Sequence, residues 1–80
     1  MHDTAVTPQE TIDLRGLKCP LPVLKTRRVL GRLTTGDVIA VVCTDPLAAI
    51  DIPNLVRERG DCLLRLLRDG TETRFIIRKG

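Results

Sequence analysis

The stretch that decides the fold is VIAVVCT, which runs from Val38 to Thr44 and begins with the longest apolar run of the chain, six residues. Most of its side chains are β-branched, and a continuous run of this kind is typical of a central strand. Six apolar residues are far fewer than the roughly 20 that cross a bilayer. The stretch therefore predicts a strand inside a sheet, and we expect no membrane association.

The segment before this strand predicts one further strand and a helix. Residues Thr11–Arg15 alternate in polarity, with Ile12 and Leu14 on one side. We expect the first helix to run from Pro20 to about Leu33 with Cys19 as its N-cap, because the first turn of a helix tolerates proline. Six residues fall on one side of this helix and predict its core face: Pro22, Val23, Thr26, Val29, Leu30 and Leu33.

The segment after the central strand predicts a second helix in two steps. Asp45-Pro46 is a helix-start pair, a capping carboxylate followed by proline. Pro53 lies too far along the chain to belong comfortably to the same helix. We therefore expect a short turn over residues 46–50 and a separate helix over about residues 52–59, capped by Asp51.

The last third of the chain predicts a hairpin. Gly60 ends the second helix, and Asp69-Gly70 is a strong turn signal between two apolar runs, Cys62–Leu67 and Thr73–Arg78. The element order is βαβαββ. Two helices cannot cover both faces of a four-stranded sheet, so we expect a two-layer α/β sandwich with both helices on one face.

Length and composition limit the chain to one globular domain. It has 80 residues, of which 42% are hydrophobic and 29% are charged. Residues 1–9 show no periodicity and predict a flexible N-terminal tail, followed by a single domain over residues 10–80. The first four residues are neither basic nor apolar, so we expect no secretory signal.

The three cysteines are Cys19, Cys43 and Cys62, and no two of them have the short spacing of a zinc or dithiol site. Without an export signal we expect reduced thiols and a cytoplasmic protein. The single histidine, His2, lies in the predicted tail. The sequence thus predicts no metal site and no cofactor, with Cys43 and Cys62 as core or edge thiols.

Cys19 is the candidate reactive residue. A thiolate is the reactive form of cysteine, and a helix N-terminus with nearby cations favours it. Arg15 and Lys18 supply cations beside the predicted helix start, while Pro20 and Pro22 stiffen the loop. We therefore expect an exposed and modestly acidified thiol at Cys19.

Helix 1 also predicts a docking face. Lys25, Arg28 and Arg32 belong to a stretch between Asp13 and Asp37 that contains no acidic residue. Such a face is either merely solvated or attracts an acidic partner. On the side of the helix away from the predicted core, two further residues are apolar, Leu21 and Leu24. They are either tolerated at the surface or form the apolar centre of a docking patch with a basic rim.

At these residues the chain resembles a known family. Cys19-Pro20-Leu21-Pro22 is similar to the Cys-Pro-x-Pro motif of the TusA/SirA-like sulfur-carrier proteins, and Asp45-Pro46 with Asp51-Ile52-Pro53 resembles their second motif. The resemblance implies a mixed four-stranded sheet. It also implies that Cys19 accepts sulfane sulfur as a persulfide from a cysteine desulfurase or another donor and relays it to an acceptor protein. Destinations in the family include tRNA thiolation, molybdenum-cofactor assembly and sulfur oxidation.

Two classes of function remain open from the sequence. The absence of a histidine, carboxylate-pair or metal constellation favours a persulfide sulfurtransferase or carrier over a self-sufficient enzyme. The alternative is a non-catalytic regulatory or RNA-binding module of the same fold. Phe75 is the single aromatic residue, which argues against direct nucleic-acid binding, because single-strand binders stack bases on aromatic side chains.

Overall fold

The structure, a computed structural model, describes residues 7–80. These residues form four strands and two helices in the predicted order. Their bounds are β1 Glu10–Leu14, α1 Leu21–Gly31, β2 Val38–Cys43, α2 Ala48–Arg59, β3 Cys62–Asp69 and β4 Glu72–Arg78. Most of the predicted tail lies outside the described residues. No helix within residues 7–80 has the length and apolar character needed to cross a membrane.

The four strands form one mixed sheet in the order β1-β2-β4-β3. The β1–β2 pair is parallel, and the other two pairs are antiparallel. The predicted central strand, β2, therefore has partners on both sides and is buried from Ile39 to Cys43. The antiparallel pairing of β3 and β4 continues up to the pair Asp69 and Glu72 beside the turn, which confirms the hairpin.

Both helices cover one face of the sheet, as predicted, and the core lies between the two layers. Alternate residues of β2 and β4, among them Val41 and Phe75, pack against the buried stripes of the helices. The predicted core face of α1 is confirmed, since Leu30 and Thr26 are fully buried. The Thr26 hydroxyl donates a hydrogen bond of 2.7 Å to the Pro22 carbonyl, which satisfies the buried polar group.

The predicted start of the second helix is wrong. A single helix begins at Ala48 and includes Pro53, and Asp51 lies inside it rather than at its cap. Proline removes one amide donor, the one that would bond to the Ala49 carbonyl. The burial of apolar side chains offsets this loss. One face of the helix enters the core, and its buried residues are Ala48, Ile52, Leu55 and Val56.

The end of α2 is as predicted. Gly60 adopts a left-handed conformation with φ of 78°, and its amide donates to the Arg57 carbonyl over 3.1 Å. The Asp61 amide then donates to the Val56 carbonyl over 3.0 Å. These bonds satisfy the last carbonyls of the helix and turn the chain into β3.

Candidate functional site

Cys19 lies in the loop between β1 and α1, at the edge of the sheet where the parallel strands β1 and β2 end. The register pairs Leu14 with Cys43, the last residues of these two strands. The Gly16 amide donates to the Thr44 hydroxyl over 2.9 Å, which ties the loop to the segment after β2. The fold therefore brings the two sequence motifs to the same end of the molecule.

The prediction that Cys19 caps helix 1 is wrong. The helix begins at Leu21, its N-cap is Pro20, and no side chain bonds to its first turn. The Leu21 amide donates instead to the Lys18 carbonyl over 2.9 Å, across a turn in which the Cys19–Pro20 peptide is cis. Because backbone groups form this turn, the exposed Cys19 sulfur does not serve as a helix cap.

Two carboxylates of the second motif contact Cys19. The Cys19 amide donates to Asp45 Oδ2 over 2.7 Å, and the thiol donates to Asp51 Oδ2 over 3.7 Å. Asp45 Oδ1 also accepts the Leu47 amide over 3.3 Å. The prediction that Asp45 caps the helix is nevertheless wrong, because Leu47 is the N-cap of α2 and no side chain caps this helix. Asp45 thus joins the two loops through backbone amides, whereas Asp51 reaches out of α2 to the sulfur itself. Pro46 and Pro53 flank these contacts in the chain.

The electrostatic prediction for this thiol is also wrong in sign. Partial desolvation raises the pKa of Cys19 above its ordinary value. The Asp51 carboxylate raises this pKa further through its charge and its hydrogen bond, and the charge of Asp45 adds a smaller effect. A negative charge beside the sulfur disfavours the thiolate, which is itself negative. The surroundings of Cys19 therefore favour the thiol over the thiolate.

Arg15 does not offset these carboxylates, because its guanidinium is engaged elsewhere. It binds Asp13 through two nitrogens, each at 2.9 Å, and approaches Glu72 Oε2 at 3.4 Å. Hydrogen bonds from Arg15 lower the pKa of Asp13 to about 2, and Asp13 and Glu72 raise the pKa of Arg15. Lys18 is exposed and makes no ion pair within residues 7–80. The predicted cationic activation of the thiol is thus absent from this geometry.

An exposed apolar rim lies at the starts of α1 and α2, the two helices that follow the loops of Cys19 and Asp45. It consists of Leu21 and Leu24 in the first turns of α1 and Leu47 and Ile50 at the start of α2, which are 43%, 52%, 50% and 60% exposed. In the chain, Leu47 and Ile50 lie between Asp45 and Asp51, the two carboxylates that contact Cys19. Sequence reasoning missed them because it began the second helix at about residue 52. Extending the stripe back to Ala48 would have left both outside the core.

The predicted basic residues of α1 lie together along a cleft. Lys25, Arg28 and Arg32 line a cleft of about 340 Å³ between α1 and β1, with apolar walls that include Leu17 and Val29. The Arg32 guanidinium pairs with Glu10 of β1 at 3.2 Å. Within residues 7–80, Lys25 and Arg28 have no carboxylate partner.

The other two cysteines differ from Cys19. Cys43 is fully buried in β2, as predicted, and burial, with a smaller effect of Asp45, raises its pKa to about 11. Cys62 is exposed but lies at the far end of the sheet, where β3 begins opposite Arg78. Among residues 7–80, no three histidine, cysteine, aspartate or glutamate side chains cluster as metal ligands.

Comparisons with known proteins agree with this fold. The family model described as sulfurtransferase TusA matches residues 10–79. The chain therefore belongs to the TusA sulfurtransferase family, and its role lies in sulfur transfer. The structure is similar to the crystal structure of a SirA-like protein from Desulfitobacterium hafniense, with a TM-score of 0.78 and 25% sequence identity over 89% of this chain and 97% of that one.

Proposed function

We propose that this protein carries sulfane sulfur as a persulfide on Cys19, which it accepts from one protein and delivers to another. The observation that carries the proposal is the position of the Cys19 sulfur. It is exposed at the point where both sequence motifs meet, and within residues 7–80 its one hydrogen bond is to the second-motif carboxylate Asp51. Cys43 is buried and Cys62 lies at the other end of the sheet, so neither has this setting.

The transfer consists of two thiol exchanges. The Cys19 thiolate attacks the outer sulfur of the donor persulfide, a new S–S bond forms, and the donor leaves as a thiolate that takes up a proton. An acceptor thiolate then attacks the outer sulfur of Cys19–S–SH, and Cys19 leaves as a thiolate. Each step exchanges one S–S bond for another, so no external oxidant or reductant is consumed.

The surface near Cys19 supports docking of two partners in turn. The apolar rim supplies contact area at the sulfur, and Lys25, Arg28 and Arg32 supply positive charge along α1. An interface with an apolar centre and a charged edge has this composition. We propose a cysteine desulfurase or another persulfide donor as one partner and a cytoplasmic sulfur acceptor, in tRNA thiolation, molybdenum-cofactor assembly or general sulfur trafficking, as the other.

Mass spectrometry tests the carrier directly. After incubation with a cysteine desulfurase and cysteine, the intact mass should rise by one sulfur atom, and reductant should remove the gain. Cys19→Ser should abolish the gain, whereas the matched variant Cys62→Ser, at the other exposed cysteine, should retain it. A full gain in Cys19→Ser, mapped to Cys43 or Cys62, would contradict the assignment.

The basic cleft favours one alternative, a regulatory module that binds RNA. Lys25 and Arg28 could contact phosphates, because no carboxylate within residues 7–80 pairs with them. Phe75, the one aromatic residue, is fully buried and offers no base a stacking surface. Filter binding with single-stranded RNA decides between the two. Tight binding that Cys19→Ser leaves unchanged, in a protein that takes up no sulfur, would favour the alternative.

A further inference from the structure

Asp51 is a carboxylate in contact with the Cys19 sulfur, and its charge is not neutralised by an ion pair within residues 7–80. Its Oδ2 atom lies 3.7 Å from Cys19 Sγ. Within residues 7–80 this contact is the one hydrogen bond of its side chain, and no cation pairs with it. Asp45 differs, because its two oxygens accept the amides of Cys19 and Leu47.

This placement opposes the chemistry that Cys19 has to perform. Only the thiolate attacks a persulfide, and a carboxylate at this distance repels the thiolate while it accepts a hydrogen bond from the thiol. The groups that face the sulfur from the β2–α2 segment and from α2 are Asp45 and Asp51, both acidic. On the cysteine's own loop, Arg15 is bound to Asp13 and Glu72, and Lys18 is exposed to solvent.

We infer that Asp51 lowers the thiolate fraction of Cys19 in the unbound protein, and that a docking sulfur donor neutralises Asp51 with a cationic side chain beside its own persulfide. The inference rests on the proposed carrier function and adds the chemistry of the partner surface. The net reaction keeps its protons: Cys19–SH and donor–S–SH give Cys19–S–SH and donor–SH. The thiol proton passes, directly or through water, to the departing donor thiolate.

The surface around Asp51 indicates the charge pattern of such a donor. Asp51 follows the exposed apolar residues Leu47 and Ile50 at the start of α2, and Lys25 and Arg28 lie on α1. A complementary surface has a cation at its centre, apolar contacts around it, and acidic residues opposite α1. Burial of the interface removes water and strengthens the pairing of this cation with Asp51. The carrier thiol is thereby more reactive in the docked complex than in the unbound protein.

Alkylation by iodoacetamide tests the effect of Asp51 on the Cys19 thiol without any partner. We use the Cys62→Ser background, because Cys43 is buried and Cys19 is then the exposed thiol. Asp51→Asn should raise the rate at pH 7 by about threefold or more, since removal of the charge increases the thiolate fraction. This gain in alkylation rate should vanish at high pH, where Cys19 is ionised in both the variant and its parent. It should shrink in high salt, which screens the charge of Asp51.

Two controls accompany this measurement. Glu58→Gln removes one exposed charge elsewhere on α2 and should leave the rate unchanged. Equal melting temperatures for both variants show that Asp51→Asn has not opened the loop. An unchanged alkylation rate and pH profile in Asp51→Asn would overturn the inference.

Sulfur uptake from two different donors tests whether a docking donor supplies a cation to Asp51. With glutathione persulfide, a small anionic donor, Asp51→Asn should take up sulfur faster than the wild type. With a cysteine desulfurase and cysteine below saturation, the same variant should be slower, because the donor's cation has lost its partner. Faster uptake from both donors would overturn the proposed cationic partner. If the wild type takes up sulfur from neither, the carrier function fails, while the alkylation result still decides the role of Asp51.

Discussion

The two ends of the sheet use aspartate in the same way and leave it in opposite electrostatic states. At the cysteine end, Asp45 accepts the Cys19 amide over 2.7 Å. At the far end, Asp61 accepts the Gly80 amide over 2.9 Å. In each case a carboxylate joins two chain segments that lie far apart in the sequence.

The difference lies in the cations. The Asp61 side chain is 1% exposed and is neutralised within the chain by Arg59 at 3.2 Å and Lys79 at 3.9 Å. At the cysteine end, neither Asp45 nor Asp51 has a cationic partner within residues 7–80. Asp61 is therefore neutralised within the fold, whereas the carboxylates beside Cys19 are not, and in the proposed function a docking partner neutralises Asp51.

The largest expected effect is on stability and comes from removal of Asp61 at the far end of the sheet. Asp61→Ala should lower the free energy of unfolding by about 2 kcal/mol, because it removes a buried carboxylate that accepts from the partly buried Arg59 guanidinium and from the Gly80 amide. Urea denaturation measures the loss. Alkylation of Cys19 should keep its wild-type rate under native conditions.

Glu58→Ala is the control for this variant, since Glu58 is exposed and lies near the same end of α2. Its stability should stay within about 0.5 kcal/mol of the wild type. A loss below about 1 kcal/mol in Asp61→Ala would mean that the buried ion pairs contribute little. The contrast between the two ends would then concern reactivity alone.

Most of the fold could be predicted from local sequence patterns. The apolar stretch Val38–Cys43, the Asp69-Gly70 turn and the terminating Gly60 each act through their own neighbourhood, and the structure confirms them. The start of α2 could not be predicted, because Pro53 gave a strong local signal against one helix. Burial of the Ala48–Val56 stripe, a tertiary effect, outweighs that signal.

The location of the candidate site was predictable, but its electrostatics were not. Cys19 stands out by its motif, and Arg15 lies near it in the sequence. The contacts that set the charge join distant residues, 32 positions apart for Asp51 and Cys19 and 57 apart for Arg15 and Glu72. Sequence proximity therefore suggested a cationic environment, and the folded chain has an acidic one.

The next largest effect concerns the apolar rim at the cysteine end. Leu24→Ala should weaken sulfur transfer from a cysteine desulfurase about tenfold, because burial of one leucine in a complex contributes roughly 1.5–3 kcal/mol. Its melting temperature should hardly change, since Leu24 is 52% exposed. Leu66→Ala, at an exposed leucine of β3, is the matched control and should transfer normally. Loss of stability with normal transfer would place Leu24 in the core instead of at the interface.

The smallest expected effect concerns the charges along α1. Lys25 and Arg28 line the cleft beside β1 and have no carboxylate partner within residues 7–80, so they are available to attract an acidic surface over a distance. Reversal of both to glutamate should slow association with the donor a few-fold at low ionic strength, and the difference should fade as salt shortens the range of the field. Reversal of Arg65 and Arg68, two exposed arginines of β3, changes the net charge equally and serves as the control. Stopped-flow association rates at several salt concentrations separate the two cases. Equal slowing by both pairs would show that net charge, and not a docking face on α1, governs the encounter.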